Sequence, residues 1–485
     1  MKPALRRTAG IGAGAALLLS ACAIGPKYVR PDADVPIAYK ESTAVASPAG
    51  TMPQAPPAPG WITAQPGDAA PRGSWWMIFG DARLNALEDR VDASNQNLRV
   101  ALAQLRQARA TVEIAHASFF PTVTTGAAAD QSLTSANIRY HGAAGHTLPD
   151  YALPVSASWE PDLWDRIGHS VDSAQANAQA SLGDLESLRL GLHAELATDY
   201  FNLRGLDAEK ELLDQTIVAY QQALDLTNNR FQGGIASQSD VAQAQTQLEM
   251  TQAKEIDLGV LRAQYEHAIA SLVGQPASSF SIPARQAQWS APPIPPGLPS
   301  GLLQRLPDIA AAERRVAAAN AQIGVAQAAF FPDLTLSGSA GLEASKFASL
   351  LSGPSLFWAI GPQLVGTLFD GGRRRATVDQ ARAHYDAGVA AYRQTVLGAF
   401  QEVEDNLAAL RILQQEAAKQ GDATRSAETS LQLAMNRYQT GIVSYLEVVT
   451  AQGTALSNER AQVDIARRQT VAGVQLVKAL GGSWQ

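Results

Sequence analysis

The sequence predicts a mainly α-helical fold with a small β portion. Three observations support this prediction. Two long stretches, at about 166–231 and 371–438, contain no proline and repeat apolar residues at helical spacing. Short stretches that alternate apolar and polar residues follow two Phe-Phe-Pro motifs, as strands do. The whole pattern occurs twice along the chain, which indicates an internal duplication.

The first 21 residues are predicted to be a secretory signal peptide. MKPALRR supplies a basic start, an apolar run follows, and Leu19-Ser20-Ala21-Cys22 ends it. This ending resembles the lipobox of bacterial lipoproteins, in which the cysteine receives a diacylglycerol and becomes the new N-terminus; the alternative is an ordinary cleavage site beside a chance cysteine. Cys22 is the only cysteine, so an intramolecular disulfide is excluded. Ala23, where a retained lipoprotein would carry Asp, favours the outer membrane under the sorting rule that this resemblance implies.

Composition excludes several classes of function. The formal net charge is −7, which argues against nucleic-acid binding. After the signal peptide, no apolar stretch reaches the roughly 20 residues that a transmembrane helix needs. The seven histidines are scattered without metal-ligand spacing, and no nucleophile–base pair or phosphate loop is present. We therefore predict no enzyme activity, no metal, and no cofactor beyond the lipid on Cys22.

The chain divides into two repeats. Residues 22–74 are rich in Pro, Ala and Gly and are predicted to form a lipidated, extended N-terminal segment. The first repeat covers 75–280, a Pro-rich linker covers 281–300, and the second repeat with the C-terminal tail covers 301–485. ATVEIAHASFFPTVTTG matches AQIGVAQAAFFPDLTLSG, and EPDLWDRIG matches VGTLFDGGR.

Each repeat is predicted to contribute two strands of about ten residues. Pro121 and Pro332 end the preceding helices and favour extended backbone before them. The strands are expected near 122–124, 156–164, 334–337 and 355–369. Asp165 and Asp370 are predicted N-caps of the long helices that follow. Three tryptophans lie in or beside strands, and either belong to an interfacial aromatic girdle or pack between elements: Trp159, Trp164 and Trp358.

Two similar turns end the long helices: NRFQGGIASQSD at 229–240 and NRYQTGIVSYLE at 436–447. Gly234 and Gly441 can take the left-handed conformation that terminates a helix. Ser237 with Asp240, and Ser444 with Glu447, fit the capping box that starts the next helix. Returning helices are expected at 239–273 and 445–479, and shorter helices at 84–119 and 308–330.

Four strands cannot close a barrel, because known bacterial barrels begin at about eight strands. Unpaired strand edges are not tolerated in lipid. If the strands enter a membrane, several copies of the chain must share one barrel. The alternative is a soluble sheet that caps a helical bundle.

The chain resembles the TolC-like outer membrane factor family, and in particular its lipoprotein branch. The matching stretches are SWWMIFGDARLNAL, RLPDIAAAERRVAAANAQIGVAQAAFFP, LFDGGRRRA, both turns and LVKALGGSW. The resemblance implies a homotrimer with a twelve-stranded β-barrel, four strands per chain, continuous with a long periplasmic α-helical barrel of coiled-coil arms. It also implies a lipid-anchored outer membrane location in a Gram-negative bacterium, in contact with outer membrane lipid.

The same resemblance assigns a gate and the contacts with an adaptor to the two turns. The residues that it maps to these roles are Arg230, Phe231, Gly234, Asp240, Tyr438, Gly441, Leu446, Glu447 and Thr450. Family members often carry an acid where this chain has Thr450 and an arginine where it has Gly453. We therefore expect the lower constriction to depend on Leu446 and Glu447.

The resemblance implies a passive outer membrane channel of a tripartite efflux pump that exports drugs or other small toxic compounds. The expected partners are a periplasmic adaptor and an inner-membrane pump of the resistance-nodulation-division type. Metal-ion efflux and type I protein secretion are alternatives for the same channel. A periplasmic structural lipoprotein that uses coiled coils as spacers is an alternative from another class.

Overall fold

A computed structural model describes residues 24–41, 73–133, 135–137, 145, 147–285, 294 and 301–482. The predicted signal peptide and Cys22 lie outside these ranges. So do most of the predicted extended segment and most of the predicted linker.

Eight α-helices lie within the described residues: α1 Ala82–Ser94, α2 Gln96–Ala117, α3 Arg166–Gln232, α4 Gln238–Leu272, α5 Leu302–Arg305, α6 Pro307–Ala328, α7 Arg373–Gln439 and α8 Tyr445–Ala479. The two predicted long helices, α3 and α7, each have 67 residues, or about 100 Å at 1.5 Å per residue. The returning helices α4 and α8 have 35 residues each. None of the described helices combines the length and the apolar character that crossing a membrane requires.

The first shorter helix is broken, whereas the sequence predicted one helix over 84–119. Asn95 lies between α1 and α2 in extended conformation. Its Oδ1 accepts the N–H of Leu98 at 3.1 Å, and its Nδ2 donates to the carbonyl oxygen of Leu272 at 2.8 Å. Asn95 therefore restarts the helix as an N-cap and is held in place by the end of α4.

Five strands, rather than the predicted four, lie within the described residues: β1 Thr122–Thr125, β2 Ala128–Leu133, β3 Thr147–Trp159, β4 Asp333–Ala344 and β5 Leu356–Val365. They form one antiparallel sheet in the order β1-β3-β4-β5, with β2 also paired to β3. The predicted extension of two strands to 164 and 369 was wrong, because β3 ends at Trp159 and β5 at Val365.

Pro154 explains the additional strand. β1 and β2 pair with β3 in one continuous register, since Thr125 lies opposite Val155 and Ala128 lies opposite Ala152. Between them, the N–H of Gly126 donates to the carbonyl oxygen of Pro154 at 3.1 Å. Proline has no N–H to return this bond, so the ladder is interrupted there. The sheet consequently has four strand positions, and the first of these is occupied by two short strands, β1 and β2.

The two faces of the sheet differ in chemistry, because alternate residues of a strand point to opposite sides. One side, which we call the apolar face, carries Val123, Val155, Ala157, Trp159, Leu336, Ala340, Leu342, Trp358, Ile360 and Leu364. The opposite side, the polar face, carries Thr122, Thr124, Ser156, Ser158, Thr335, Ser337, Ser339 and Gln363. Most of the large side chains on the apolar face are exposed in a single chain; Trp358 has 73% of its surface accessible.

Of the two predicted N-caps at the starts of the long helices, Asp370 is confirmed and Asp165 is wrong. The carboxylate of Asp162, rather than that of Asp165, accepts an N–H at the start of α3, that of Gly168 at 2.7 Å. Asp165 itself has a φ of 60°, which turns the chain into the helix and directs its carboxylate towards His169. Asp370 does act as a cap, since its carboxylate accepts the N–H of Arg374 at 3.2 Å.

Contacts divide the chain into two compact units. Of the described residues, the first unit comprises those within 1–32, 104–181 and 312–392, and the second comprises those within 33–103, 182–311 and 393–485. The first unit contains the sheet. The second contains both helical turns.

In the first unit, the described N-terminal residues are tied to the helices by specific hydrogen bonds. His169 Nε2 lies 2.7 Å from the carbonyl oxygen of Ile24. Asn320 donates to the carbonyl oxygen of Pro26 at 2.9 Å. The chain entering the fold is therefore held next to the start of α3.

In the second unit, a histidine is buried between two carboxylates. His193 Nδ1 lies 2.6 Å from Glu88 Oε2, and its Nε2 lies 3.4 Å from Asp92 Oδ2. Trp76 stacks on the imidazole with centroids 4.3 Å apart. Burial raises the pKa of Glu88 to about 7. Burial also opposes the charge on His193, but its hydrogen bonds to Asp92 and Glu88 outweigh this and raise the pKa of His193 to about 9.

Candidate functional site at the two helical turns

The first turn joins α3 to α4 through a Schellman motif. Gly234 has a φ of 73°, in the left-handed region that glycine adopts without strain. The N–H of Ile235 donates to the carbonyl oxygen of Arg230 at 2.8 Å, and that of Gly234 to the carbonyl oxygen of Phe231 at 2.9 Å. These bonds satisfy carbonyl groups that the end of α3 would otherwise leave unpaired.

The predicted capping box is present at the start of α4. The backbone N–H of Asp240 donates to Ser237 Oγ at 3.2 Å. In return, Asp240 Oδ2 accepts the backbone N–H of Ser237 at 2.9 Å. The carboxylate of Asp240 is thus engaged by the backbone of the turn.

The second turn joins α7 to α8 with the same Schellman bonds but without the predicted capping box. Gly441 has a φ of 80°, and the N–H of Ile442 donates to the carbonyl oxygen of Arg437 at 2.9 Å. Ser444 occupies the N-cap position with extended backbone, yet its side chain makes no capping hydrogen bond. Glu447 instead pairs with Arg437 at 2.6 Å. The predicted capping box at Ser444 is therefore absent: its hydroxyl caps no N–H, and the glutamate that would complete the box pairs with an arginine of the preceding helix.

Arg230 connects the two turns. Its Nη1 donates to the carbonyl oxygen of Gln439 at 2.9 Å, at the end of α7. Its guanidinium also lies over the ring of Tyr438, 4.8 Å from the centroid. A cation at a helix C-terminus is favoured by the helix dipole, and its contact with the aromatic ring adds a cation–π attraction. Arg230 and Tyr438, both predicted site residues, therefore link the hairpin α3–α4 to the hairpin α7–α8.

A buried core supports this link. Its fully or nearly buried members are Tyr220, Ala223, Leu224, Ala244, Leu248, Ala434, Tyr438, Tyr445, Val448 and Ala451. Tyr438 packs edge-on against Tyr445, with centroids 5.2 Å apart, and Tyr438 Oη lies 3.3 Å from Thr227 Oγ1. All four helices contribute to this core.

Sequence reasoning missed the tyrosine at the start of α8. Tyr445 is 1% exposed, and burial raises its pKa to about 12. Burial raises the pKa of Tyr220 as well. Both phenols are therefore neutral at physiological pH. Tyr445 directly follows Ser444 in the sequence, but an aromatic residue at a helix start does not by itself distinguish core from surface.

The remaining predicted site residues lie on the surface of the turns. Phe231 and Leu446 are 44% and 57% exposed. Ile235 and Ile442, which the sequence analysis did not select, are also exposed. Glu447 is half-exposed in its pair with Arg437, and Thr450 donates its hydroxyl to the carbonyl oxygen of Leu446 at 2.9 Å. The turns thus present apolar side chains to solvent beside the hydrogen bonds that Arg230, Glu447 and Thr450 make.

Across the described ranges, no group of three or more His, Cys, Asp or Glu side chains is positioned to hold a metal ion. The contacts at the two turns connect helices, and their chemistry supports joining, separating or contacting helices.

Removing the capping hydroxyl should affect the two turns differently. Ser237→Ala removes an acceptor for the N–H of Asp240, so we expect a loss of about 1 kcal/mol in local stability. Ser444→Ala is the matched control, because Ser444 makes no such bond. Hydrogen exchange of the peptides that contain each turn measures both effects. Equal acceleration in the two variants would contradict the assignment.

A sheet with one apolar and one polar face, joined by two 67-residue helices to a pair of turns, defines the class of TolC-like outer membrane channels. The fold is similar to that of the outer-membrane channel OprN, with a TM-score of 0.83 and 30% identity over 96% of this chain and 100% of that chain. The chain is 32% identical over 472 residues to the antibiotic efflux pump outer membrane protein ArpC and to the toluene efflux pump outer membrane protein TtgC, both of Pseudomonas putida. Each match covers 97% of this chain and 94% of the relative.

The family described as outer membrane efflux protein matches the sequence twice, over residues 87–275 and 298–482. The chain belongs to this family. It is an outer membrane efflux channel that lies in the outer membrane and the periplasm, and its family consists of passive channels rather than enzymes.

Proposed function

We propose that three copies of this chain form one channel that exports small toxic compounds, with a twelve-stranded β-barrel in the outer membrane. The observation that carries this proposal is the sheet. Its apolar face is exposed, and among the described residues both of its edges, at β1 with β2 and at β5, are unpaired. Open edges in lipid would leave backbone groups unpaired. Pairing between copies removes the edges, places the apolar face towards lipid and lines the lumen with the polar face.

The helical turns are the proposed periplasmic gate and adaptor contact. Arg230 holds the two hairpins of one chain together, which favours a closed state, and the predicted Leu446 and Glu447 supply bulk and charge. The exposed side chains of Phe231 and Ile235, with those of the second turn, offer an apolar surface to a periplasmic adaptor protein.

The proposed partners are the adaptor and an inner-membrane pump of the resistance-nodulation-division type, which supplies the energy. ArpC and TtgC are named as components of antibiotic and toluene efflux pumps. We infer from these relatives that the exported compounds are small and mostly apolar or amphiphilic.

The proposed lipid anchor agrees with the path of the N-terminal residues. Ile24 is hydrogen bonded to His169, one turn into α3 and close in sequence to the end of β3. Cys22 precedes Ile24 by two residues in the sequence.

Cys22→Ala should abolish lipid attachment. The variant is expected to lose incorporation of labelled palmitate and to keep an intact signal peptide by mass spectrometry, because lipoprotein processing requires the cysteine. Ser20→Ala is the control and should remain labelled. Labelled Cys22→Ala protein would show that the lipid is elsewhere.

The central test combines mass and conductance. Purified protein in detergent should have the mass of three chains, and planar bilayers containing it should show discrete channels whose conductance increases when the turns are altered. A compact monomer without β structure would overturn the proposal. A trimer that conducts no ions, even with altered turns, would instead support the structural-spacer alternative.

A further inference from the structure

The two Phe-Phe-Pro motifs leave their helices through the same local geometry. The N–H of Phe120 donates to the carbonyl oxygen of Ala117 at 3.0 Å, and the N–H of Phe331 donates to that of Ala328 at 3.0 Å. A proline and then a strand follow in each case. The N-terminal ends of β1 and β4 are therefore equivalent positions of the internal repeat.

Among the described residues, a tryptophan stacks on the second phenylalanine of only one of these two motifs. Trp164, which follows β3, stacks on Phe331 with centroids 4.8 Å apart. Its Nε1–H also donates to the carbonyl oxygen of Pro332 at 2.8 Å. In the other repeat the counterpart of Trp164 is Phe369, which is 89% exposed, and the counterpart of Phe331 is Phe120, which is 60% exposed.

The two exposed counterparts lie at opposite edges of the sheet. Phe120 precedes the edge strand β1, and Phe369 follows the edge strand β5. Phe369 at one edge and Phe120 at the other are therefore the counterparts of Trp164 and Phe331, which contact each other within the chain.

We propose that β5 pairs with β1 of the next copy in the register that β3 and β4 adopt within one chain, with Phe369 packed on Phe120 of that copy. This inference rests on the proposed shared barrel. Neighbouring strands of the sheet are all antiparallel, so β5 and the next β1 are antiparallel as well. The C-terminal end of β5 then lies beside the N-terminal end of β1, where the two phenylalanines are.

The repeat predicts a register. Within the chain, Trp159 lies opposite Leu336, five residues before Trp164 and five residues after Phe331. The same offsets from Phe369 and Phe120 place Leu364 opposite Thr125 of the next copy.

The faces of the sheet provide an independent check. Leu364 is on the apolar face, and Thr125 is on the same side, because it lies opposite Val155. The proposed register therefore continues the apolar face from one copy to the next. A shift by one residue would join it to the polar face.

The tilt of the strands provides a second check. Thr125 lies opposite Val155, Val155 opposite Ala340, and Ala340 opposite Trp358. Trp358 is six residues before Leu364, so it meets residue 131 of the next copy, six residues beyond Thr125. Six residues rise about 20 Å while four strands span about 19 Å, which corresponds to a tilt of about 45°, as in membrane barrels.

A slip of two residues is the competing register, since it also preserves the faces. The repeat itself contains such a slip. In the first repeat, Thr122 lies opposite Ser158. The equivalent residues of the second repeat are Asp333 and Gln363, but Asp333 lies opposite Val365, two residues further along. The test must therefore separate registers that differ by two residues.

Disulfide cross-linking separates them, because the only native cysteine is Cys22. The variant Thr125→Cys with Leu364→Cys tests the proposed register. Val123→Cys or Ala127→Cys, each with Leu364→Cys, are the matched slipped controls. Directly opposite Cβ atoms are about 4.5–5.5 Å apart and diagonal ones about 7–8 Å, whereas a disulfide needs roughly 3.5–4.5 Å. We expect covalent dimers and trimers to form at least about tenfold faster in the first variant.

Each outcome decides the proposal. Faster linking of the 125–364 pair supports the register. Faster linking of a slipped pair overturns it and leaves the shared barrel intact. A protein that is trimeric under reducing conditions but forms no linked pair overturns the β5–β1 seam alone. A protein that is monomeric under those conditions overturns the shared barrel and, with it, the proposed function.

Discussion

Arg230→Ala should open the channel. The substitution removes the bond to the carbonyl oxygen of Gln439 and the contact with the ring of Tyr438, which together link the two hairpins. A hydrogen bond from a charged donor contributes about 1.5–3 kcal/mol, and exposure favours the lower end. A shift of about 1.4 kcal/mol changes the open fraction roughly tenfold. Single-channel recording should therefore show an open probability about tenfold higher in Arg230→Ala than in the unaltered protein.

Arg437→Ala is the matched control for this result. Arg437 also lies in a turn and is also paired, but its partner Glu447 belongs to the same hairpin. The pair is exposed, and exposed pairs contribute about 0–1 kcal/mol. This variant should remain closed. Equal opening of both variants would show that loss of positive charge, rather than loss of the link between hairpins, opens the channel.

His193→Leu should strongly destabilise the second unit. Glu88 is fully buried, and without the imidazole it must either keep a charge with no partner or take up a proton. Removing one member of a buried ion pair costs about 3–5 kcal/mol. Thermal unfolding in detergent, followed by circular dichroism at pH 8, should show a Tm lower by several degrees.

Two variants distinguish lost charge pairing from lost packing. Glu88→Leu combined with His193→Leu should recover much of the Tm, because no uncompensated charge remains. Asp92→Asn should have a small effect, since the Asp92 side chain is 47% exposed. A double variant as unstable as His193→Leu would show that packing, and not the charge pair, dominates.

The same histidine predicts a pH dependence. In the folded protein, the hydrogen bonds to Asp92 and Glu88 raise the pKa of His193 from 6.5 to about 9. A raised histidine pKa contributes stability that is fully present below the unfolded value and is lost as pH rises through the folded value. The Tm of the unaltered protein should fall between about pH 7 and pH 9.5, and that of the double leucine variant should fall less. Equal slopes would contradict the contribution of His193.

Local signals allowed much of the fold to be predicted. The two long helices and both returning helices end within two residues of their predicted positions. The helical periodicity of apolar residues can be recognised over a short stretch of sequence. Gly234 and Gly441 mark turns that require the left-handed backbone conformation, which glycine adopts without strain. The family resemblance, confirmed by the match over both repeats, also depends on short motifs in a fixed order.

Features that depend on distant partners could not be predicted. The helix breaks at Asn95 because its amide reaches Leu272, 177 residues away. At the second turn, Glu447 pairs with Arg437 of the preceding helix instead of completing a capping box. Strands β1 and β2 are separated because the residue opposite the gap is Pro154 of the neighbouring strand β3. In the candidate site, the sequence indicated Arg230 and Tyr438 but not the contact between them.

The sequence by itself determined the helices, the turns, the duplication and the family, because hydrophobic period, glycine conformation and proline all act over a few residues. Only the tertiary structure decided which side of the sheet is apolar across all strands, which turn residues meet, and where charges are buried. These properties depend on the pairing register of strands and on contacts between helices far apart in the chain, and a single residue's type does not specify its partner.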